Sequence, residues 1–121
     1  MNKKQEIIYK ILSLPETFKK SDNNKSFKEL LNDTGYFEIA DQIQEKELFN
    51  AVRENPKFIT DWINWSDDKR TTSGWFIKES EKGKYTVSFF PKKDELTTFK
   101  TDDVKIACAH FIQREIESLI G

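Results

Sequence analysis

A single histidine, His110, and a single cysteine, Cys108, bound the nucleophilic chemistry open to this chain of 121 residues. Any nucleophile–histidine couple has to use His110, and any thiolate chemistry has to use Cys108. The two lie in a stretch of helical apolar spacing, and positions two apart do not share a helix face. That sets them apart and leaves His110 on the flank of a helix. One cysteine and one histidine also fall short of the donors of a zinc site. Asp61, Asp67 and Asp68 could offer oxygen ligands to Mg²⁺ or Ca²⁺, but their spacing lacks the alternation and the glycine of a calcium loop. No GxGxxG, P-loop or GxSxG motif occurs. Among 21 Asp and Glu, pairs of carboxylates carry little information. The expectation is a protein that binds and is not an enzyme, with no cofactor and no metal.

The densest constellation runs from Asp61 to Trp75. Trp62 shares an apolar stripe with Phe58, Ile59 and Ile63, which places it in the core. Trp65, three residues on, stands at the margin of that stripe. It either closes the core where a helix meets a hairpin or serves as a partly exposed anchor for a partner. Gly74 allows close backbone approach at the entry to a sheet.

The elements around these residues follow from periodicity. Residues 4–14 predict a helix with Ile7, Ile8, Ile11 and Leu12 on one stripe, limited by Pro15. Lys19 to Lys25 reads as a polar loop. Ser26 caps a short helix carrying Phe27, Leu30 and Leu31, with Glu29 as capping-box partner, and Gly35 ends it. Residues 36–54 give a longer helical pattern broken once, and Asn55-Pro56 restarts the helix that carries Trp62. Ser66 to Arg70 reads as a charged loop. The period then changes to two. Trp75, Ile77 and Glu79 face Phe89, Val87 and Tyr85 across a turn closed by Gly83 in the left-handed conformation. The hairpin spans about 73–91, and a third strand about 95–100. A helix over about 102–120, capped by Thr101 or Asp102, buries Val104, Ala107, Cys108, Phe111, Ile112, Ile116 and Leu119 against the sheet face of Trp75, Ile77, Val87 and Phe89. Phe76 and Phe90 point the other way, under the N-terminal helices. The fold class is α+β in a single domain, 1–121: an N-terminal helical group, a three-stranded antiparallel sheet and a C-terminal amphipathic helix packed on it.

The net charge of −1 conceals an uneven distribution. Residues 1–30 carry seven lysines against four acids, residues 31–68 nine acids against three bases, and residues 69–121 ten bases against eight acids. The acidic middle block argues against that segment lying on nucleic acid and favours a basic partner. With one cysteine there is no internal disulfide. No apolar run has the length of a signal peptide or of a membrane span. A soluble, cytoplasmic protein is expected.

In its single-domain size, in Trp62 to Trp75 running into the aromatic hairpin Gly74-Trp75-Phe76-Ile77 and Tyr85-Thr86-Val87, and in the closing helix Ala107-Cys108-Ala109-His110-Phe111-Ile112, the chain resembles the small cytoplasmic immunity proteins of bacterial polymorphic-toxin and contact-dependent growth inhibition systems. The resemblance is one of general style over most of the chain. It implies stoichiometric neutralisation of a cognate protein toxin domain by covering its active site; many such toxins are nucleases. The partner would be basic, and the acidic block would imitate nucleic-acid charge. The implied partner-binding residues are Glu45, Glu47, Asp61, Asp67 and Asp68, with Trp65 as anchor; Glu45 and Glu47, two apart on a helix, do not face one partner squarely. The alternative is an interaction or regulatory module that binds RNA through the sheet, using Lys78, Lys82 and Lys84 around the hairpin tip.

Overall fold

The computed structural model describes residues 2–21, 25–69, 74–90 and 98–119, Lys69 by its backbone alone. Helix α1 (Lys3–Leu12) starts at Asn2, whose side chain accepts the Gln5 backbone N–H at 2.8 Å. Pro15 does not merely limit this helix. It occupies the first turn of a second one, α2 (Leu14–Lys20), where its missing N–H leaves no bond unmade. Lys19 and Lys20 are therefore the last turn of α2 rather than part of a loop, and they suit the negative end of its dipole.

Helix α3 (Phe27–Asp33) has the expected capping box. Ser26 Oγ accepts from the Glu29 N–H at 3.1 Å, and Glu29 accepts from the Ser26 N–H at 3.4 Å. Gly35 follows with φ of 91°, the left-handed conformation that ends a helix without a Cβ penalty. Residues 36–54 are broken once, as expected. The short α4 (Tyr36–Ile39) and a 3₁₀ turn (Ala40–Gln42) lead through extended Ile43 into α5 (Glu45–Glu54).

Helix α6 (Lys57–Lys69) runs further than its sequence suggested. Ser66, Asp67 and Asp68 belong to its last turns, because Ser66 has an inward task. Its hydroxyl donates to the Ile77 carbonyl at 3.1 Å and accepts the Ile77 N–H at 2.9 Å. Ile77 lies on β1, an edge strand, so Ser66 satisfies the two backbone groups that this edge would otherwise leave open.

The sheet is antiparallel in the order β1 (Gly74–Glu81), β2 (Lys84–Phe90), β3 (Phe99–Thr101). Trp75 pairs with Phe89, Ile77 with Val87 and Glu79 with Tyr85, the register that the alternation implies. A bulge between Glu79 and Glu81 and a φ of 78° at Gly83 close the turn. The third strand is shorter than expected and sits later, with Phe99 opposite Val87; Leu96 lies outside the described residues. The cap of α7 (Val104–Ser118) is Asp103 rather than Thr101 or Asp102. Asp103 Oδ1 accepts from the N–H groups of Lys105 and Ile106, while Thr101 Oγ1 accepts from the N–H of Asp103.

Helix α7 is the middle layer. One side lies on Ile77, Val87 and Phe99, and α5 and α6 cover the other. Trp62, fully buried, donates its indole N–H to the Leu12 carbonyl at 3.0 Å and sets its ring edge-on to Phe27 and Phe111. The helices that meet the sheet come from the α7 side and from the β1 edge. Phe90, 41% exposed, is therefore not covered by the N-terminal helices, while Phe76 is half-buried. Nine apolar side chains of α1 to α3, such as Ile11 and Leu31, find their cover among themselves and on α5 and α6, so that among the described residues these helices do not reach the outer face.

The Ser66 bridge yields a stability prediction. Ser66→Ala leaves a buried N–H and a buried carbonyl of β1 without this partner, and is expected to destabilise the protein by about 1–3 kcal/mol. Urea unfolding monitored by tryptophan fluorescence measures it; a variant as stable as the parent would mean that water replaces the hydroxyl.

Candidate partner-binding surface

Helix α6 has two faces. Phe58, Trp62 and Ser66 are buried on the inner one. At 3.6 residues per turn, Thr60, Asp61, Asn64, Asp67 and Asp68 fall on the opposite arc. Asp61 is half-buried, and Asp67 and Asp68 are exposed. Asp61 and Asp68 are seven residues apart, hence on one stripe and roughly 10 Å apart along the axis. Among the described residues, none of the three carboxylates takes part in an ion pair or a hydrogen bond. Asp67 and Asp68 also sit in the last turn of α6, where the helix dipole is negative and repels them.

The other two acids are occupied. Glu47 accepts the Gln44 backbone N–H at 3.1 Å and pairs with Lys4 of α1. Glu45 Oε1 lies 2.8 Å from His110 Nδ1, and the His110 ring stacks on Phe99 with centroids 4.2 Å apart. Glu45 thus joins α5 to α7, and through the imidazole to β3. Both acids lie in the first turn of α5, where the dipole favours them. The structure brings Asp61, Asp67 and Asp68 together on one helix and leaves Glu45 and Glu47 on another, each with a structural partner. The Glu45–His110 contact spans 65 positions, and no periodicity or motif announces it.

Trp65 is half-buried at the edge of α6. Its ring stacks on Phe27 at 4.2 Å with 19° between planes and meets Phe18 edge-on at 5.1 Å. Its Nε1 donates to buried Glu115 Oε2 at 2.8 Å. Of the two readings of Trp65, closure of the core accounts for these contacts.

Cys108 is fully buried, and burial alone pushes its thiol up to about 12 from an ordinary 9.0. A thiol so placed is a small apolar side chain at neutral pH. Among the described residues, no three His, Cys, Asp or Glu side chains gather as ligands for a metal ion. A groove of about 480 Å³ between α1 and α5 is lined by Ile8, Tyr9, Leu12, Ala51, Glu47 and Glu54. Among the described residues, no helix is long and apolar enough to cross a membrane. Compared with protein-family models, curated proteins and solved structures, the chain matches none of them.

Cys108 links stability to pH. Below pH 9 the thiol is protonated in both states and contributes no pH dependence. Between 9 and 12 the unfolded chain loses this proton while the folded one keeps it, so stability falls as pH rises. The loss from this group is about 1 kcal/mol at pH 10 relative to pH 8. Urea titrations of the parent and of Cys108→Ala at the two pH values isolate it: the variant is expected to show the smaller drop, and equal drops would place the thiolate in contact with solvent.

Proposed function

We propose that this protein acts by binding, and that it is an immunity protein which neutralises a cognate bacterial toxin by covering the toxin's active site with the outer face of α6. The observation that carries the reading is the outer arc of α6 that bears Asp61, Asp67 and Asp68. These carboxylates hold nothing together within the described chain, and two of them stand where the helix dipole makes them unfavourable. Charges that cost stability and serve no internal contact suit a surface whose counter-charge is supplied from outside. A basic cleft, such as that of a nuclease, is a fitting partner, because unpaired carboxylates on one helix attract and steer a surface of opposite charge. Glu45 and Glu47 belong at most to the rim of such an interface. Trp65 contributes by fixing α6 against Phe27 and Glu115, which keeps the acidic stripe in one orientation.

The setting of the histidine and the cysteine supports binding over turnover. His110 is engaged with Glu45 and Phe99, and Cys108 is sealed in the core. The sequence resemblance to immunity proteins supplies the biological setting, a cytoplasm into which a neighbouring cell delivers the toxin.

Two measurements at the same two positions test the reading. Asp67→Asn and Asp68→Asn each relieve dipole repulsion and are expected to raise stability by about 0.3–1 kcal/mol. The double reversal Asp67→Lys/Asp68→Lys is expected to slow association with a basic partner, captured from the native bacterium with tagged protein, by about tenfold or more at low salt. Association unchanged by the reversal would remove α6 from the interface.

A further inference from the structure

The outer face of the sheet carries a second, oppositely charged surface. Strand alternation and the observed register place Phe76, Lys78 and Ser80 of β1 on the face turned away from α7, together with Lys84, Thr86, Ser88 and Phe90 of β2 and Lys100 of β3. The hydroxyl of Thr86 donates to Ser80 at 3.2 Å, and those of Ser88 and Thr98 are 2.9 Å apart, which confirms the shared face. Lys78, Thr86 and Lys100 lie in one row across the three strands. At the usual strand spacing the outer two are roughly 10 Å apart at Cα. Lys100 forms no ion pair among the described residues, and Lys78 holds its ammonium 5.8 Å from the Phe76 ring rather than against a carboxylate. Four residues along β2 from Thr86, Phe90 lies opposite Gly74, which has no side chain to cover it. Phe90 and Tyr9 are the two exposed large apolar side chains among the described residues.

We propose that this face binds single-stranded nucleic acid, with a base stacked on Phe90 and the backbone phosphates received by Lys78 and Lys100. The surface has the two components such binding needs. One is an open aromatic ring, on which any base can stack. The other is a set of cations with no carboxylate in their row. The hydroxyls of Thr86, in the lysine row, and of Ser88, between that row and Phe90, are buried and bonded to Ser80 and Thr98. The site has an end. Near the hairpin tip, Glu81 lies 3.8 Å from Lys84, and Glu81 and Asp102 line a depression of about 370 Å³ beneath Lys84 and Lys100. Phosphates are therefore received along the Lys78–Lys100 row, and the strand runs from there toward Phe90. A double helix, with its bases stacked inside, offers nothing to Phe90. The acidic stripe proposed above is on another face, so the two surfaces are tested separately.

The probe is a fluorescein-labelled oligouridine or oligothymidine of about 12 nucleotides, long enough for one small sheet surface. Fluorescence anisotropy at low salt, about 20 mM, should show saturable binding by protein concentrations of about 0.1 mM. With two or three phosphates neutralised on a single strand, a fourfold rise in salt should weaken binding about 7- to 18-fold. Lys78→Ala/Lys100→Ala should weaken it about tenfold, and Phe90→Leu, which keeps an apolar side chain but removes the ring, about fivefold or more. These side chains are exposed or half-exposed, and circular dichroism checks that each variant stays folded. Asp67→Lys/Asp68→Lys should leave binding intact or tighten it. No anisotropy change at low salt overturns the proposal. So does binding that needs the lysines but is indifferent to Phe90→Leu and is displaced equally well by an acidic polypeptide, which would make this face a site for an acidic protein segment.

Discussion

Trp62 is the side chain on which the helical half of the molecule depends. It is fully buried, with its ring edge-on to Phe27 of α3 and to Phe111 of α7. A buried indole N–H needs an acceptor, and it finds one in the Leu12 carbonyl 3.0 Å away. That carbonyl stands at the C-terminal end of α1, where the chain turns into α2 and a helix runs out of its own donors. One hydrogen bond thus satisfies two groups that would each be costly to bury alone. It also fixes how α1 meets α6, and through the ring how α3 and α7 meet both. Replacement by alanine would remove the ring from this junction and leave the α1 carbonyl unpaired, a loss of about 3–5 kcal/mol on burial grounds alone.

One turn further along α6, Ser66 repeats the device with the sheet. The hydroxyl can donate and accept, so it answers both open groups of Ile77. A β-strand edge that is neither paired nor covered invites another strand, and here a helix closes it at its middle. The inner face of α6 is thereby committed from end to end: Phe58 and Trp62 to the helical core, Ser66 to the sheet. Its outer face has no such duty, and this is why acids can accumulate there without disturbing the fold. The same reasoning separates Asp61, Asp67 and Asp68 from Glu45 and Glu47, whose carboxylates are drawn into α5's cap, into Lys4 and into His110.

What the sequence made legible is what local physics decides. The hairpin register follows from period two together with Gly83, and the structure has the same pairs from Trp75–Phe89 to Glu79–Tyr85. The Ser26–Glu29 capping box and the left-handed Gly35 are equally local. The parts that escaped depend on contacts distant in the chain. A proline after a helix reads as a stop, and whether it also starts a helix depends on what Leu14 can bury against, which no window of α2 contains. Ser66 to Lys69 is polar and charged, and only its approach to Ile77 makes it helical to the end. Asp103 wins the cap of α7 over two neighbours of similar chemistry because Thr101 is still paired in β3 with Tyr85. Of the candidate site, Asp61, Asp67 and Asp68 were readable as acids of one charged block, but Asp67 and Asp68 read as loop residues and only the extension of α6 to Lys69 puts them on the helix of Asp61. The capture of Glu45 by His110 was not, since a carboxylate and an imidazole 65 positions apart carry no mark of each other. The setting of Phe90 was misjudged for a related reason: the apolar stripes of the helices were legible, but not the side of the sheet on which α7 and the helices behind it would stack.

That one-sided arrangement explains how a chain with a net charge of −1 carries two strongly charged surfaces. Among the described residues the helices stack behind α7 and not on the opposite face of the sheet, whose strand positions hold lysine, hydroxyl and aromatic side chains. The acids that balance them lie on α6, whose inner stripe touches the β1 edge and whose outer stripe is therefore a helix diameter away, about 10 Å. This is close to the Debye length at physiological salt, about 8 Å, so each surface presents its own sign to a partner there. At low ionic strength the screening length grows several-fold and the two fields overlap. Carboxylates on α6 then oppose an anion approaching the sheet, and the lysines oppose a cation approaching α6. Removing charge from one surface should consequently strengthen attraction at the other, an effect that fades as salt is raised. A protein whose charges were merely scattered for solubility would lack this reciprocity. Its origin is the commitment of one face of α6 to Trp62, Ser66 and the core.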